Sequence, residues 1–152
     1  MSGGGVLLEP RSARPRRLLY VEDNLSDVFL VREALKECNI NVDLATVADG
    51  RSALDYLRKL GRFAEAPTPD LVFLDLNLPG MTGDEVLLAI KSDPILKGLP
   101  VIVLTSAASQ TICRPIYREY ANTCVRKPLD WEEYTTVVNQ ICAYWFSLAN
   151  LP

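Results

Sequence analysis

The sequence predicts an α/β domain, a parallel sheet covered by helices on both faces. Five short apolar runs alternate with segments whose apolar residues recur at helical spacing. The runs are continuous rather than alternating, as in strands buried on both faces. A length of 152 residues suits one domain with a substantial core and is short for two.

The elements follow in order. Residues 1–17 carry Arg11, Arg14, Arg16 and Arg17 against Glu9, a net +3, and leave −6 for the remainder. With two prolines and several glycines they read as a disordered leader rather than a nucleic-acid arm. Residues 18–21 are the first strand. The segment 26–38 places Val28, Val31, Leu35 and Cys38 on one side of a helix, with Arg32, Glu33, Lys36 and Glu37 between them. Val42–Val47 is a second strand interrupted by Asp43, and 50–60 is a short helix carrying Ala53, Leu54 and Leu57. A loop with two prolines covers 61–69. Residues 71–74 form the third strand. Gly83–Ser92 is a helix with Asp84 and Glu85 in its first turn, where the helix dipole favours them, and Asp93-Pro94 stops it. Residues 100–104 are the fourth strand, 109–120 a helix, and Thr123–Arg126 a short fifth strand. Asp130 caps the last helix, with Glu133 placed for a capping box. Its main apolar stripe is Tyr134, Val137, Val138, Ile141, Trp145 and Leu148, with Cys142, Phe146 and Ala149 as a second set.

Several chemistries are excluded. The chain has no histidine, which removes Ser-His-Asp and Cys-His catalysis and most zinc chemistry. It also prevents the chain from carrying phosphate on its own histidine. Cys38, Cys113, Cys124 and Cys142 are widely spaced and form no CxxC pair, so they read as free thiols in a reducing compartment. No apolar run is long enough for a bilayer, and no secretory signal precedes the arginines, so the expected location is the cytoplasm, without membrane attachment.

In open parallel sheets, ligands sit outside the carboxyl ends of the strands. Strand one ends in Glu22-Asp23, strand three in Asp75, strand four in Thr105-Ser106, and strand five in Lys127-Pro128. Three carboxylates on one rim repel, so a cation must neutralise them or their pKa values rise. Lys127 offsets one charge, and Mg²⁺, which prefers oxygen ligands and keeps exchangeable waters, offsets two more. The set suits phosphoryl transfer: metal and Lys127 hold phosphoryl oxygens, Thr105 hydrogen-bonds one, and Asp75 attacks phosphorus. Taken singly, each residue has an ordinary structural role. A strand-end Asp is commonly a turn or cap residue, Glu22-Asp23-Asn24 can cap a helix, and Lys127 can be a solvated lysine. The coincidence of all four strand ends carries the functional reading.

VEDN at 21–24, LDLNLPGMTG at 74–83, VLTS at 103–106 and VRKP at 125–128 resemble the receiver domain of two-component response regulators. The resemblance covers 18–147 and implies a doubly wound, flavodoxin-like five-stranded sheet of order 2-1-3-4-5 with five helices. It implies that Asp75 is the phosphoacceptor, and that Glu22, Asp23, Asp75 and the backbone carbonyl of Asn77 hold Mg²⁺ or Mn²⁺. Thr105 becomes the switch hydroxyl, with Ser106 beside it. Lys127 pairs with Asp75 or its phosphate, and the Lys127–Pro128 peptide is expected to be cis. The pattern VEDN-x-x-D-x-x-L-x-x-x-AL at 21–35, the long loop before strand three, and the ending YWFSLANLP are similar to single-domain regulators of bacterial phytochrome kinases. A sensor histidine kinase, of phytochrome type, is thus the implied phosphoryl donor, and signalling runs through protein–protein contacts. The resemblance also implies a homodimer through the last helix and the extension 148–152. Two departures stand out: Cys124 replaces the usual Tyr or Phe three residues before the lysine, and Pro115 falls within the fourth helical pattern. The enzyme alternative, an aspartate-nucleophile phosphatase, usually has a second Asp two residues after the first, where this chain has Asn77. The other alternative is a pseudo-receiver that never takes phosphate.

Overall fold

The computed structural model describes residues 15–105, 121, 123–128 and 130–148. Five parallel strands, β1 (Arg16–Val21), β2 (Val42–Val47), β3 (Leu71–Asp75), β4 (Val101–Thr105) and β5 (Thr123–Arg126), form one sheet in the order β2-β1-β3-β4-β5. The predicted fold is therefore the observed one. Four α-helices lie among the described residues, where five were expected: α1 (Leu25–Lys36), α2 (Gly50–Arg58), α3 (Gly83–Ser92) and α4 (Trp131–Cys142). The expected helix over 109–120, with Pro115 and Cys113, lies outside the described residues, as do Ser106 and 149–152. No helix among the described residues is long and apolar enough to cross a membrane.

The continuous strands still divide their side chains by alternation. Leu19, Val21, Val72, Leu74, Val101 and Val103 face α2 and α3, whose Ala53, Leu54, Leu57, Val86, Leu87 and Ile90 close one core. Leu18, Tyr20, Leu71, Phe73, Ile102 and Leu104 face α1 and α4. Both faces are apolar because both are covered, which is why the sequence shows unbroken runs.

Three boundaries depart from expectation. β1 begins at Arg16, inside the expected leader, because Arg16 and Arg17 pair with Val42 and Asp43 and the Arg17 N–H donates to Asp70 Oδ2 at 2.8 Å. α2 ends at Arg58 because Lys59 turns left-handed at φ 58°, and a 3₁₀ turn, Gly61–Phe63, interrupts the expected loop. The core stripe of the last helix joins Tyr134 and Val138 of the expected main stripe to Cys142 and Phe146 of the expected second set; Val137, Ile141 and Trp145 are half-buried. A strict i, i+4 row points at α1 and the sheet, and a π-turn, Ala143–Leu148, extends that row to Phe146.

The sheet order reverses beside β1: the chain leaves it for β2 on one side and returns to β3 on the other. The crevice at that switch point lies between the ends of β1 and β3, where Val21 pairs with Leu74.

Candidate functional site

Each rim residue is placed by local structure. Asn24 caps α1, its Oδ1 accepting from the Asp27 N–H at 3.0 Å. The cap falls to Asn24, which leaves the two preceding acids to the rim. Asp75 is the last residue of β3, in register with Leu104. The chain then passes Gly80, at φ 71°, and enters α3 through a full capping box between Thr82 and Glu85. At Gly83 the helix start nearly touches the strand end: an added Cβ would stand 2.8 Å from Leu76 Cα and 3.0 Å from the Asp75 carbonyl oxygen.

The result is an open cleft of about 610 Å³ reaching from Asp23 and Asp27 to Asn77 and Lys127. Glu22, Asp23 and Asp75 each offer an oxygen within 4.8 Å of the others. Glu22 and Asp75 are 3% and 2% exposed, whereas Asp23 is exposed. Lys127 enters from the end of β5, its ammonium 2.7 Å from Glu22 Oε1, 2.8 Å from Asp27 Oδ2 and 3.1 Å from Asp75 Oδ1. The first two contacts are hydrogen bonds. The third is an ion pair only, and Asp75 Oδ1 has no hydrogen-bond partner although buried.

Burial raises the pKa of Asp75; Lys127 and the Asn77 backbone N–H counter this, and the Asp23 charge adds to it. Burial likewise raises Glu22, opposed by its bond from Lys127 and reinforced by Asp75. Burial works to lower the Lys127 pKa, but bonds to Asp27 and Glu22 and the charge of Asp75 outweigh it and hold the ammonium protonated. Four carboxylates meet one ammonium, a net deficit of positive charge that a divalent cation would meet. The orphaned, buried Asp75 oxygen and the all-oxygen donor set fit Mg²⁺ or Mn²⁺, hard cations that prefer such ligands.

The structure brings together Glu22, Asp23, Asp75, Asn77 and Lys127. Thr105 ends β4 with its backbone opposite Arg126. Cys124 is half-buried against the core that α2 and α3 close, and burial raises its thiol pKa. The expected cis peptide is corrected: no cis peptide bond occurs among the described residues, so Lys127–Pro128 is trans. Trans is the lower-energy isomer before proline by roughly 0.5–1 kcal/mol, and the ammonium reaches all three carboxylates from it.

Sequence reasoning gave Asp27, Tyr20 and Tyr134 no part in the site. Asp27 bonds Lys127 and accepts from the Tyr134 hydroxyl at 3.2 Å; the Tyr20 hydroxyl donates to Glu22 Oε1 at 3.0 Å. The signal for Asp27 was its position in VEDN-x-x-D, one turn into α1. The tyrosines read as core residues.

A family model for the response regulator receiver domain matches residues 18–139. Response regulator Rcp1 of Synechocystis sp. is 34% identical over 145 residues, spanning 95% of this chain and 99% of the relative. The phosphorylated cyanobacterial phytochrome response regulator RcpA is 39% identical, with a TM-score of 0.84 over 91% of this chain and 99% of that one. The Mn²⁺-bound form of Rcp1 is 36% identical, with a TM-score of 0.82 over the same shares. The five-stranded sheet of order 2-1-3-4-5 thus has its counterpart in these structures, and the chain belongs to the response regulator receiver domain family.

Proposed function

We propose that Asp75 accepts a phosphoryl group from the phosphohistidine of a sensor histidine kinase, and that the chain signals this state through protein–protein contacts. The observation that carries the reading is Asp75 itself: a buried carboxylate, one oxygen without a hydrogen bond, between Lys127 and two further acids. An Asp75 oxygen attacks phosphorus, the O–P bond forms, and the P–N bond to the donor imidazole breaks. Its electron pair stays on the imidazole nitrogen, and the chain keeps an acyl phosphate. Lys127 lies close enough to balance the charge that accumulates on the phosphoryl oxygens.

Glu22, Asp23, Asp75 and the Asn77 carbonyl would hold Mg²⁺ or Mn²⁺. When bound, the ion neutralises the carboxylates and the phosphoryl oxygens. Thr105 acts as the switch hydroxyl, with Ser106 beside it. Self-phosphorylation and its reversal are the only catalysis this reading assigns. The phytochrome link in the name of the similar regulator RcpA supports a phytochrome-type kinase as donor; the location assigned with this reading is the cytoplasm. The half-buried row Val137, Ile141 and Trp145, with Tyr144 55% exposed, supports a homodimer through the last helix.

Acetyl phosphate with Mg²⁺ tests the acceptor directly. A mass gain of one phosphoryl group in the wild type, absent in Asp75→Asn, is the expected result. No gain in the wild type would leave the pseudo-receiver. Light scattering tests the dimer, and a monomer mass at tens of micromolar would end that part of the reading.

A further inference from the structure

Lys127 is shared among three carboxylates that lead in different directions. Its hydrogen bonds go to Glu22 and Asp27, while Asp75, at 3.1 Å, receives only its charge. Asp27 uses both oxygens: Oδ2 accepts from Lys127 at 2.8 Å and Oδ1 from the Tyr134 hydroxyl at 3.2 Å. Tyr134 is buried on the first turns of α4, and Asp27 lies in the first turn of α1. A continuous polar path therefore runs from Asp75 through Lys127 and Asp27 to the last helix.

We propose that Asp27 and Tyr134 form a relay that reports the charge state of Asp75 to α4, with Asp27 acting as the positioning residue for Lys127. The inference rests on the acceptor reading of Asp75. A phosphoryl group there raises the local negative charge from one unit to about two. The ammonium is drawn toward it, and its bond to Asp27 weakens. Asp27 is then left with the Tyr134 hydroxyl alone, and the contact between α1 and α4 near the cleft changes. The relay is one this chain has reason to use. The position three residues before Lys127 holds Cys124, which has no ring to move and packs on the opposite face of the sheet from Tyr134. Such a coupling counts as physical only when a structural element responds to the site.

The chain carries a reporter in the right place. Its two tryptophans, Trp131 and Trp145, lie at the two ends of the last helical segment, Trp131 three residues before Tyr134. Beryllofluoride with Mg²⁺, standing in for the phosphoryl group, is added to the full chain. Its binding is followed by fluorine NMR and the response of the last helix by tryptophan emission at saturation. In the wild type, bound fluoride and an emission change are expected together. In Tyr134→Phe, bound fluoride with the emission change lost is expected. Tyr134→Phe removes one oxygen, keeps the buried ring and leaves every side chain that lines the cleft in place. An emission change that persists in Tyr134→Phe, or wild-type protein that binds fluoride with no emission change, overturns the relay. Wild-type protein with no bound fluoride overturns the acceptor reading instead, and the relay with it.

Discussion

Asp75 and Glu22 hold carboxylates where burial disfavours their charge, and both pKa values are raised. A carboxyl whose pKa is higher folded than unfolded binds protons more tightly in the native state. Stability therefore falls as pH rises from the ordinary carboxylate range through the raised folded values, and the full cost persists above them. Without metal, the Tm is expected to rise as pH is lowered from 7 toward the ordinary carboxylate range. Mg²⁺ should raise the Tm more at pH 7 than at acid pH, because protonation competes with it. Thermal melts with and without chelator check both signs; equal Mg²⁺ effects at the two pH values would contradict the site. Gly83 makes a different kind of claim. A methyl there would meet Leu76 and Asp75 backbone at 2.8 and 3.0 Å, neither of which can swing away. Gly83→Ala is expected to cost about 1–3 kcal/mol in denaturant unfolding.

Among the elements, α3 and α4 make separable predictions. α3 carries the reciprocal Thr82–Glu85 cap directly after the loop that follows Asp75, so Thr82→Ala should cost about 1 kcal/mol. The same melts would show it, with acetyl phosphate labelling retained. α4 has two apolar rows with different fates. Phe146 is in the core row, and Phe146→Ala is expected to destabilise by about 3–5 kcal/mol. Ile141 lies in the half-buried row. Ile141→Asp should lower the mass seen in light scattering while circular dichroism stays native. If instead Ile141→Asp unfolds the chain and Phe146→Ala does not, the two rows have been assigned the wrong way round.

For the molecule as a whole, the sheet concentrates charge where its order reverses. Residues far apart in sequence converge there because parallel strands all end on one rim, and β1 and β3, not consecutive in the chain, are neighbours. One consequence is a conflict between function and stability. Removing the charge of the acceptor should stabilise the metal-free protein, so Asp75→Asn is expected to melt higher than wild type in chelator while losing all phosphorylation. A lower Tm for that variant would mean that the Lys127 pairing outweighs burial.

The sequence by itself determined the five strands, their covered faces, and Glu22, Asp23, Asp75 and Lys127 as rim residues. Those are local signals: apolar runs long enough to be strands, and polar residues where each run stops. Only the tertiary structure decided that Asp27 and Tyr134 join Lys127, that Tyr134, Val138, Cys142 and Phe146 form the buried row, and that the bond before Pro128 is trans. Lys127 meets Asp27 across 100 residues of chain, and Tyr134 meets it across 107. Such contacts depend on the rotation of α1 and α4 about their own axes. A 3.6-residue period leaves two neighbouring apolar rows nearly equivalent until the helix is packed against something.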